Sequence, residues 1–231
     1  ITKTGKRDKS VENDRIHRQK QEGLYYVEYH PAGGDANVEH LLAALDYAVR
    51  LDQVEARIAP DQALFFINLT ADEARKIAEL TDDSAENDFR RSVSCVGSTV
   101  CQIGMQDSNG LLKDIFGHLE EKGVDTSKLP RLHISGCPHS CGTHQIGEIG
   151  FHGAVKLVDK KPTVAFILVD GGSEHMGSEN FGKMAGNIVA TKIPEFLEAL
   201  ANILNKSPEP DFGTWRMTHK AEYMELIKAV E

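Results

Sequence analysis

Apolar positions recur along the chain with two different periods, and the alternation of those periods sketches the elements. Leu24-Tyr25-Tyr26-Val27-Glu28-Tyr29 is aromatic and β-branched and reads as a strand, closed by Pro31-Ala32-Gly33-Gly34. Behind it, Asp35 or Asn37 caps a helix in which Val38, Leu41, Leu42, Leu45 and Val49 repeat at helical spacing. Val54 to Ile58 and Ala63 to Leu69 read as two further strands joined by the Pro60-Asp61 turn. Thr70, with Glu73 three residues on, forms a capping box for a helix running through Leu80. Residues 81–92, TDDSAENDFRRS, form a polar linker in which Arg90 and Arg91 read as solvated charges.

The second half repeats the alternation. Asp107 to Gly123 reads as a helix with Leu111, Leu112, Ile115, Phe116 and Leu119 inward and Gly123 as its stop. Arg131–Ser135 is a strand, and Ala154–Val158 and Thr163–Val169 are paired strands about the turn Asp159-Lys160-Lys161-Pro162. Ile193 to Leu204 is an amphipathic helix, and the tail 213–231, with the only tryptophan, Trp215, packs back on the body. The leading twenty residues are polar, with seven lysines and arginines against three acids, and read as a solvated arm or a basic patch for an acidic partner. These readings give an α+β chain divided as an arm (1–20), a small β-α-β-β-α domain (21–82) and a larger α/β domain (83–231).

Composition changes this picture only by exclusion. The 231 residues are 40% apolar, enough for two modest cores. A net charge of −9 argues against a general nucleic-acid binder, and no apolar run has the length of a membrane span. The first residue is Ile1 rather than Met, which suggests a processed or excised piece. Ten histidines are present, but none is spaced like a mononuclear motif such as H-E-x-x-H.

The chemistry concentrates between Ser94 and Phe151. All four cysteines lie there, as Cys95-x5-Cys101 and Cys137-x3-Cys141 with 35 residues between the pairs. Glycines 97, 104, 136, 142, 147 and 150 surround them, as a backbone needs where it turns beside a bulky group. If Pro138 opens a short helix, Cys137 and Cys141 project from one of its faces. Disulfides need an oxidising compartment. Structural zinc favours thiolates spaced by two to four residues, which the five-residue gap does not match. An iron–sulfur cluster accepts varied spacings and needs four thiolates in its cubane form. Spacing alone leaves the cluster balanced against zinc and buried structural thiols.

C-x5-C followed by G-C-P-x-S-C-G and Q-x-x-E-I-G-F resembles the siroheme and iron–sulfur half of assimilatory nitrite and sulfite reductases, from about Gln19 to Phe212. The form CVGSTVC with SCG-x-x-Q-x-x-E-I-G-F is closer to the nitrite branch. The resemblance implies a ferredoxin-like half-domain followed by an α/β siroheme and 4Fe–4S domain, equivalent to the C-terminal half of those enzymes. It implies a cluster held by Cys95, Cys101, Cys137 and Cys141, with the Cys141 thiolate also the axial ligand of siroheme. It places His139, Arg57, Gln62, Gly171 and Gly172 at the siroheme, the two glycines offering backbone N–H groups to its carboxylates.

Two departures from the family pattern stand out. His139 occupies a position that is often Asn, and Ala59 replaces a Thr in the Arg-x-Thr-x-x-Gln stretch, removing a hydroxyl. The implied activity is six-electron reduction of nitrite to ammonia or sulfite to sulfide, fed by ferredoxin or a similar small donor. The distal basic residues would come from an N-terminal half or a second copy, in the cytoplasm or a plastid stroma. A compact single-half sulfite reductase acting as a homo-oligomer and a non-enzymatic iron–sulfur electron carrier are the alternatives.

Overall fold

A computed structural model describes residues 1–231, which divide into two compact units, Ile1–Glu86 and Asn87–Glu231. The architecture is α+β, as the sequence pattern predicts, and consists of two sheets and six α-helices, two of them in the tail after residue 211.

The first unit is a four-stranded antiparallel sheet in the order β1 (Ile16–Arg18), β2 (Tyr25–Tyr29), β4 (Leu64–Leu69), β3 (Glu55–Ile58). Strand β2 alternates as a half-buried strand should, with Tyr25, Val27 and Tyr29 inward. Helices α1 (Val38–Ala48) and α2 (Ala71–Leu80) share a core with it. Helix α1 starts where Asn37 accepts the N–H groups of Glu39 and His40. Helix α2 starts where Glu73 reaches back to the Thr70 N–H at 2.8 Å, the capping box read from the sequence.

The buried face of α1 differs from the one its leucine and valine spacing suggests. Ala44 and Ala48 are buried, whereas Val38, Leu42 and Val49 are exposed. Small residues at i and i+4 bring a helix backbone close to its neighbours, and Leu41 and Leu45 pack along the flank of that contact. The leading residues are also not a free arm. Ile16–Arg18 forms the edge strand β1 beside β2, and Val11 and Ile16 are buried in the core. Lys3 pairs with Glu73 at 2.7 Å, and the Tyr25 hydroxyl donates to the Asp8 carbonyl at 2.8 Å. Two apolar side chains within a polar stretch are enough to dock it.

The second unit carries a five-stranded sheet in the order β5 (Val93–Ser94), β6 (Leu132–Ser135), β7 (Ile149–Val158), β8 (Lys161–Asp170), β9 (Lys183–Val189). β5, β6 and the start of β7 run parallel, and β7, β8 and β9 antiparallel. A parallel pair needs a crossover, supplied between β5 and β6 by α3 (Ser108–Glu121). Asp107 caps α3 by accepting the Gly110 N–H at 2.9 Å, and Leu111, Leu112, Ile115 and Leu119 are its buried stripe. Strand β7 begins five residues before the sequence pattern places it, because Ile149–His152 pairs with β6 before the hairpin with β8 begins. Asp159 and Lys160 both have positive φ, the two-residue turn that suits a twisted hairpin. Strand β9 was not anticipated, since Gly186 and Asn187 interrupt its apolar pattern.

Helices α4 (Ile193–Lys206), α5 (Phe212–Thr218) and α6 (Lys220–Val230) complete the second core, with Trp215, Phe196, Phe212 and Tyr223 buried at its centre. His118 bonds Glu198 at 2.7 Å, so this histidine ties α3 to α4 rather than facing solvent alone. Arg90 lies 4.8 Å from the Phe116 ring centroid and so is not a plain solvated charge.

Candidate functional site

Both cysteine pairs sit at the ends of short buried strands. Cys95 follows β5, and its N–H continues the parallel ladder by donating to the Ile134 carbonyl at 3.0 Å. Cys101 lies in the next turn, donating to the Gly97 carbonyl at 2.9 Å. Cys137 follows β6 by one glycine and is buried; Cys95 and Cys101 are half-buried, and Cys141 is exposed. All four are free thiols, with no disulfide among them.

Backbone hydrogen bonds hold the two cysteine segments against each other. The N–H groups of Met105 and Gln106 both donate to the Gly136 carbonyl, at 3.1 and 2.8 Å, and the Gly136 N–H donates to Cys95 Sγ at 3.1 Å. The Ser108 hydroxyl lies 3.1 Å from the same sulfur and donates to the Cys95 carbonyl at 2.8 Å. Cys95 Sγ thus receives the Gly136 N–H, whereas the Ser108 proton goes to the Cys95 carbonyl.

The segment from Cys137 to Cys141 is a pair of turns, not the helix that Pro138 suggested. Ser140 has φ 60° and Thr143 φ 53°, and a left-handed residue at each of these places stops a helix from propagating. The turns rest on a buried polar network behind the loop. Ser135 Oγ accepts the Gly142 N–H at 3.0 Å and lies 2.9 Å from His144 Nδ1, while His133 Nδ1 lies 2.7 Å from Thr143 Oγ1. The Ser135 hydroxyl can accept from Gly142 and still donate to His144 Nδ1, a pairing that suits the Nε2–H tautomer. No local motif announces this network; only the apolar strand that buries Ser135 and His133 hints at it.

Burial, with His152 beside it (ring centroids 4.7 Å apart), pushes the His144 pKa down to about 4. A histidine with a folded pKa below its unfolded value of 6.5 binds its proton less readily when folded. Its contribution is therefore complete above pH 6.5 and is lost as pH falls toward 4. Acidification across this window should cost on the order of 2 kcal/mol. Equilibrium denaturation at pH 7.5 and 4.5 should show that loss in the native sequence and a smaller one in His144→Asn.

Gly171 and Gly172 end β8, but their N–H groups are not open to an anion. They donate to the carbonyls of Glu148 and Gly147 at 3.0 and 3.1 Å, joining this corner to the segment that follows Cys141. The expectation of an N–H cradle is therefore corrected: the amides complete backbone pairing. Gly171 is needed for its φ of 80°, a left-handed conformation strained for any residue with a Cβ. Arg216 forks Asp170 through Nε and Nη2. Beside this corner a cavity of about 520 Å³ is lined by Glu148, Arg216, His175 and Lys128. Burial pushes the Glu148 carboxyl above the usual carboxylate range, and Asp211 adds to the shift. Neither Arg216 nor Ser108 was singled out from the sequence, since an arginine in a tail and a serine at a helix start carry no local signature.

His139 is exposed beside Cys141, with no hydrogen bond to the cysteine loops. Arg57 and Gln62 belong to the first unit. Arg57 is exposed on β3 and is engaged by Glu55 Oε2 at 2.9 Å; Gln62, at φ 68°, is exposed with its amide against Gly34. Around the first cysteine pair, Val96, Val100, Ile103 and Met105 are all at least half exposed, an apolar collar on the loop itself.

The model of the nitrite and sulphite reductase 4Fe–4S domain family matches residues 85–228, which contain both cysteine pairs. The ferredoxin–nitrite reductase of Synechococcus elongatus is 28% identical over 190 residues, 80% of this chain and 37% of that protein. The NADPH sulfite reductase hemoprotein beta-component of Bacillus licheniformis is 28% identical over 124 residues, 49% of this chain and 22% of that protein. The chain thus spans between about a fifth and two fifths of these relatives. Two solved structures share the fold. Mycobacterium tuberculosis NirA superposes with TM-score 0.70 at 20% identity, over 92% of this chain and 41% of that one. Dissimilatory sulfite reductase I superposes with TM-score 0.62 at 10% identity, over 89% and 69%. Four free cysteines on two stitched loops, lying inside a match that spans most of the second unit, place this chain in the nitrite and sulphite reductase 4Fe–4S domain family.

Proposed function

We propose that Cys95, Cys101, Cys137 and Cys141 hold a 4Fe–4S cluster and that Cys141 also ligates the iron of a siroheme. On this reading the chain is the cofactor-binding part of a larger reductase that takes nitrite to ammonia or sulfite to sulfide. The observation that carries it is the gradient of exposure over the four cysteines, from buried Cys137 through half-buried Cys95 and Cys101 to exposed Cys141. A ligand serving only the cluster gains from burial, whereas one shared with a second cofactor must reach out of the loop. When bound, the two cofactors supply electron storage and the iron at which the anion is reduced.

The chain's own residues then have separate tasks. The Gly136 N–H neutralises part of the charge on Cys95, an arrangement that raises a cluster's potential. The Ser135–His144 network fixes the turn that carries Cys141. His139, Arg57, Gln62 and the Gly171-Gly172 corner remain the proposed siroheme contacts, the glycines through shape rather than through their amides. The apolar collar at Val96, Val100, Ile103 and Met105 suits a face covered by the rest of the enzyme or touched by ferredoxin or a similar donor. Relatives naming either nitrite or sulfite match at the same 28% identity, so both anions remain proposed substrates.

Absorption spectroscopy with iron and acid-labile sulfide analysis of anaerobically purified protein tests the reading. It predicts macrocycle bands together with cluster iron and sulfide. Cluster without macrocycle would leave an electron carrier, and iron-free protein containing zinc would remove the proposal altogether.

A further inference from the structure

The first unit holds a set of donors that has no part in the cysteine site. His40 Nδ1 lies 3.0 Å from Asp82 Oδ1 and 3.2 Å from Asp83 Oδ1, and these three side chains are the one group of three such donors gathered within 4.8 Å. They come from two fixed places: the first turn of α1, capped by Asn37, and the turn that ends α2. We propose that His40, Asp82 and Asp83 form a binding site for a divalent first-row transition cation.

Three observations point to a ligand rather than to a surface ion pair. The first is spacing, because bonds of about 2.1 Å at tetrahedral or octahedral angles separate neighbouring donors by about 3.0–3.4 Å. The second concerns hydrogen bonding. A protonated imidazole between two carboxylates would direct Nδ1–H at one oxygen, yet neither His40 Nδ1 nor Asp83 Oδ1 has a hydrogen-bond partner. Both atoms are also shielded from water, and although 3.2 Å apart they are not aligned for a hydrogen bond to each other. The third is outer support. Asp83 Oδ2 accepts the Tyr29 hydroxyl at 2.8 Å and the Asn37 N–H at 3.4 Å, which fixes the carboxylate with Oδ1 toward His40.

One imidazole with two carboxylates is a mixed set that suits manganese, iron or zinc better than calcium or magnesium, which prefer oxygen alone. The exposed side of Asp82 leaves room for water to complete the coordination. The positive end of the α1 dipole opposes a cation at this place, so the two full carboxylate charges have to hold it. The site would pin the start of α1 to the end of α2.

Manganese is the probe of choice, because the hard Mn²⁺ ion binds thiolates poorly. Titration of the purified full chain, followed by loss of the free Mn²⁺ paramagnetic signal, should show one saturable site, and pulsed spectra should show nitrogen coupling from His40. Asp82→Asn changes a mostly exposed side chain and leaves the fold intact, and it should weaken binding roughly tenfold or more. His40→Ala should abolish the nitrogen coupling. No saturable binding at millimolar Mn²⁺, or affinity and coupling unchanged in both variants, would overturn the proposal.

Discussion

Replacing Cys137 with Ser is expected to leave protein without a cluster. Cys137 is the most buried of the four thiols, and its neighbour Gly136 ties the second cysteine segment to the first through its N–H and its carbonyl. A serine hydroxyl is a poor ligand for cluster iron and does not ionise near neutral pH. Losing one thiolate also removes the binding free energy that metal sites feed into folding. Iron and sulfide should fall from a full cluster to near zero, and residues 95–151 should become more open to hydrogen exchange. Cys95→Ser and Cys101→Ser should behave alike. A full complement of iron and sulfide in any of the three would remove that residue from the ligand set.

The second large effect is expected at Gly142, one residue past Cys141. A Cβ there would lie 2.0 Å from the Ile134 carbonyl oxygen and 2.6 Å from its carbon, both backbone atoms of the central strand β6. Neither atom can move without breaking the pairing of β6 with β5 and β7. Gly142→Ala should therefore destabilise the second unit by about 3 kcal/mol or more, at the upper end of overpacking effects. Chemical denaturation measures it, and a change below about 1 kcal/mol would show that the loop has slack that the close approach denies.

The parts of this molecule legible in the sequence are those fixed by local rules. Thr70 and Glu73 announce a capping box, Asp107 announces a helix start, and the stripe from Leu111 to Leu119 faces inward as its spacing says. What escaped depends on partners distant in the chain. Val38, Leu42 and Val49 have helical spacing but point outward, because the sheet selects the Ala44–Ala48 ridge instead. Lys183–Val189 becomes a strand only because β8 offers it an edge. Val11 and Ile16 dock a segment whose charge suggested an arm.

The site divides in the same way. Cysteine spacing singled out the four thiols, since few other residue types recur so sparingly in one region. The amides of Gly171 and Gly172 look open in the sequence, because glycines after a strand look alike whether their N–H groups face a ligand or, as here, the carbonyls of Gly147 and Glu148. The buried pair of Ser135 and His144 left no trace, as hydrogen bonds formed across the fold of a loop have no sequence period.

The central claim is that Cys141, the exposed thiol, joins cluster and siroheme. Electron paramagnetic or Mössbauer spectroscopy on protein bearing both cofactors, native against Cys141→Ser, tests it most directly. The account predicts magnetically coupled spectra in the native protein that separate into independent signals, or lose the macrocycle contribution, in the variant. Uncoupled spectra in native protein containing both cofactors would contradict it and leave Cys141 as an ordinary fourth ligand.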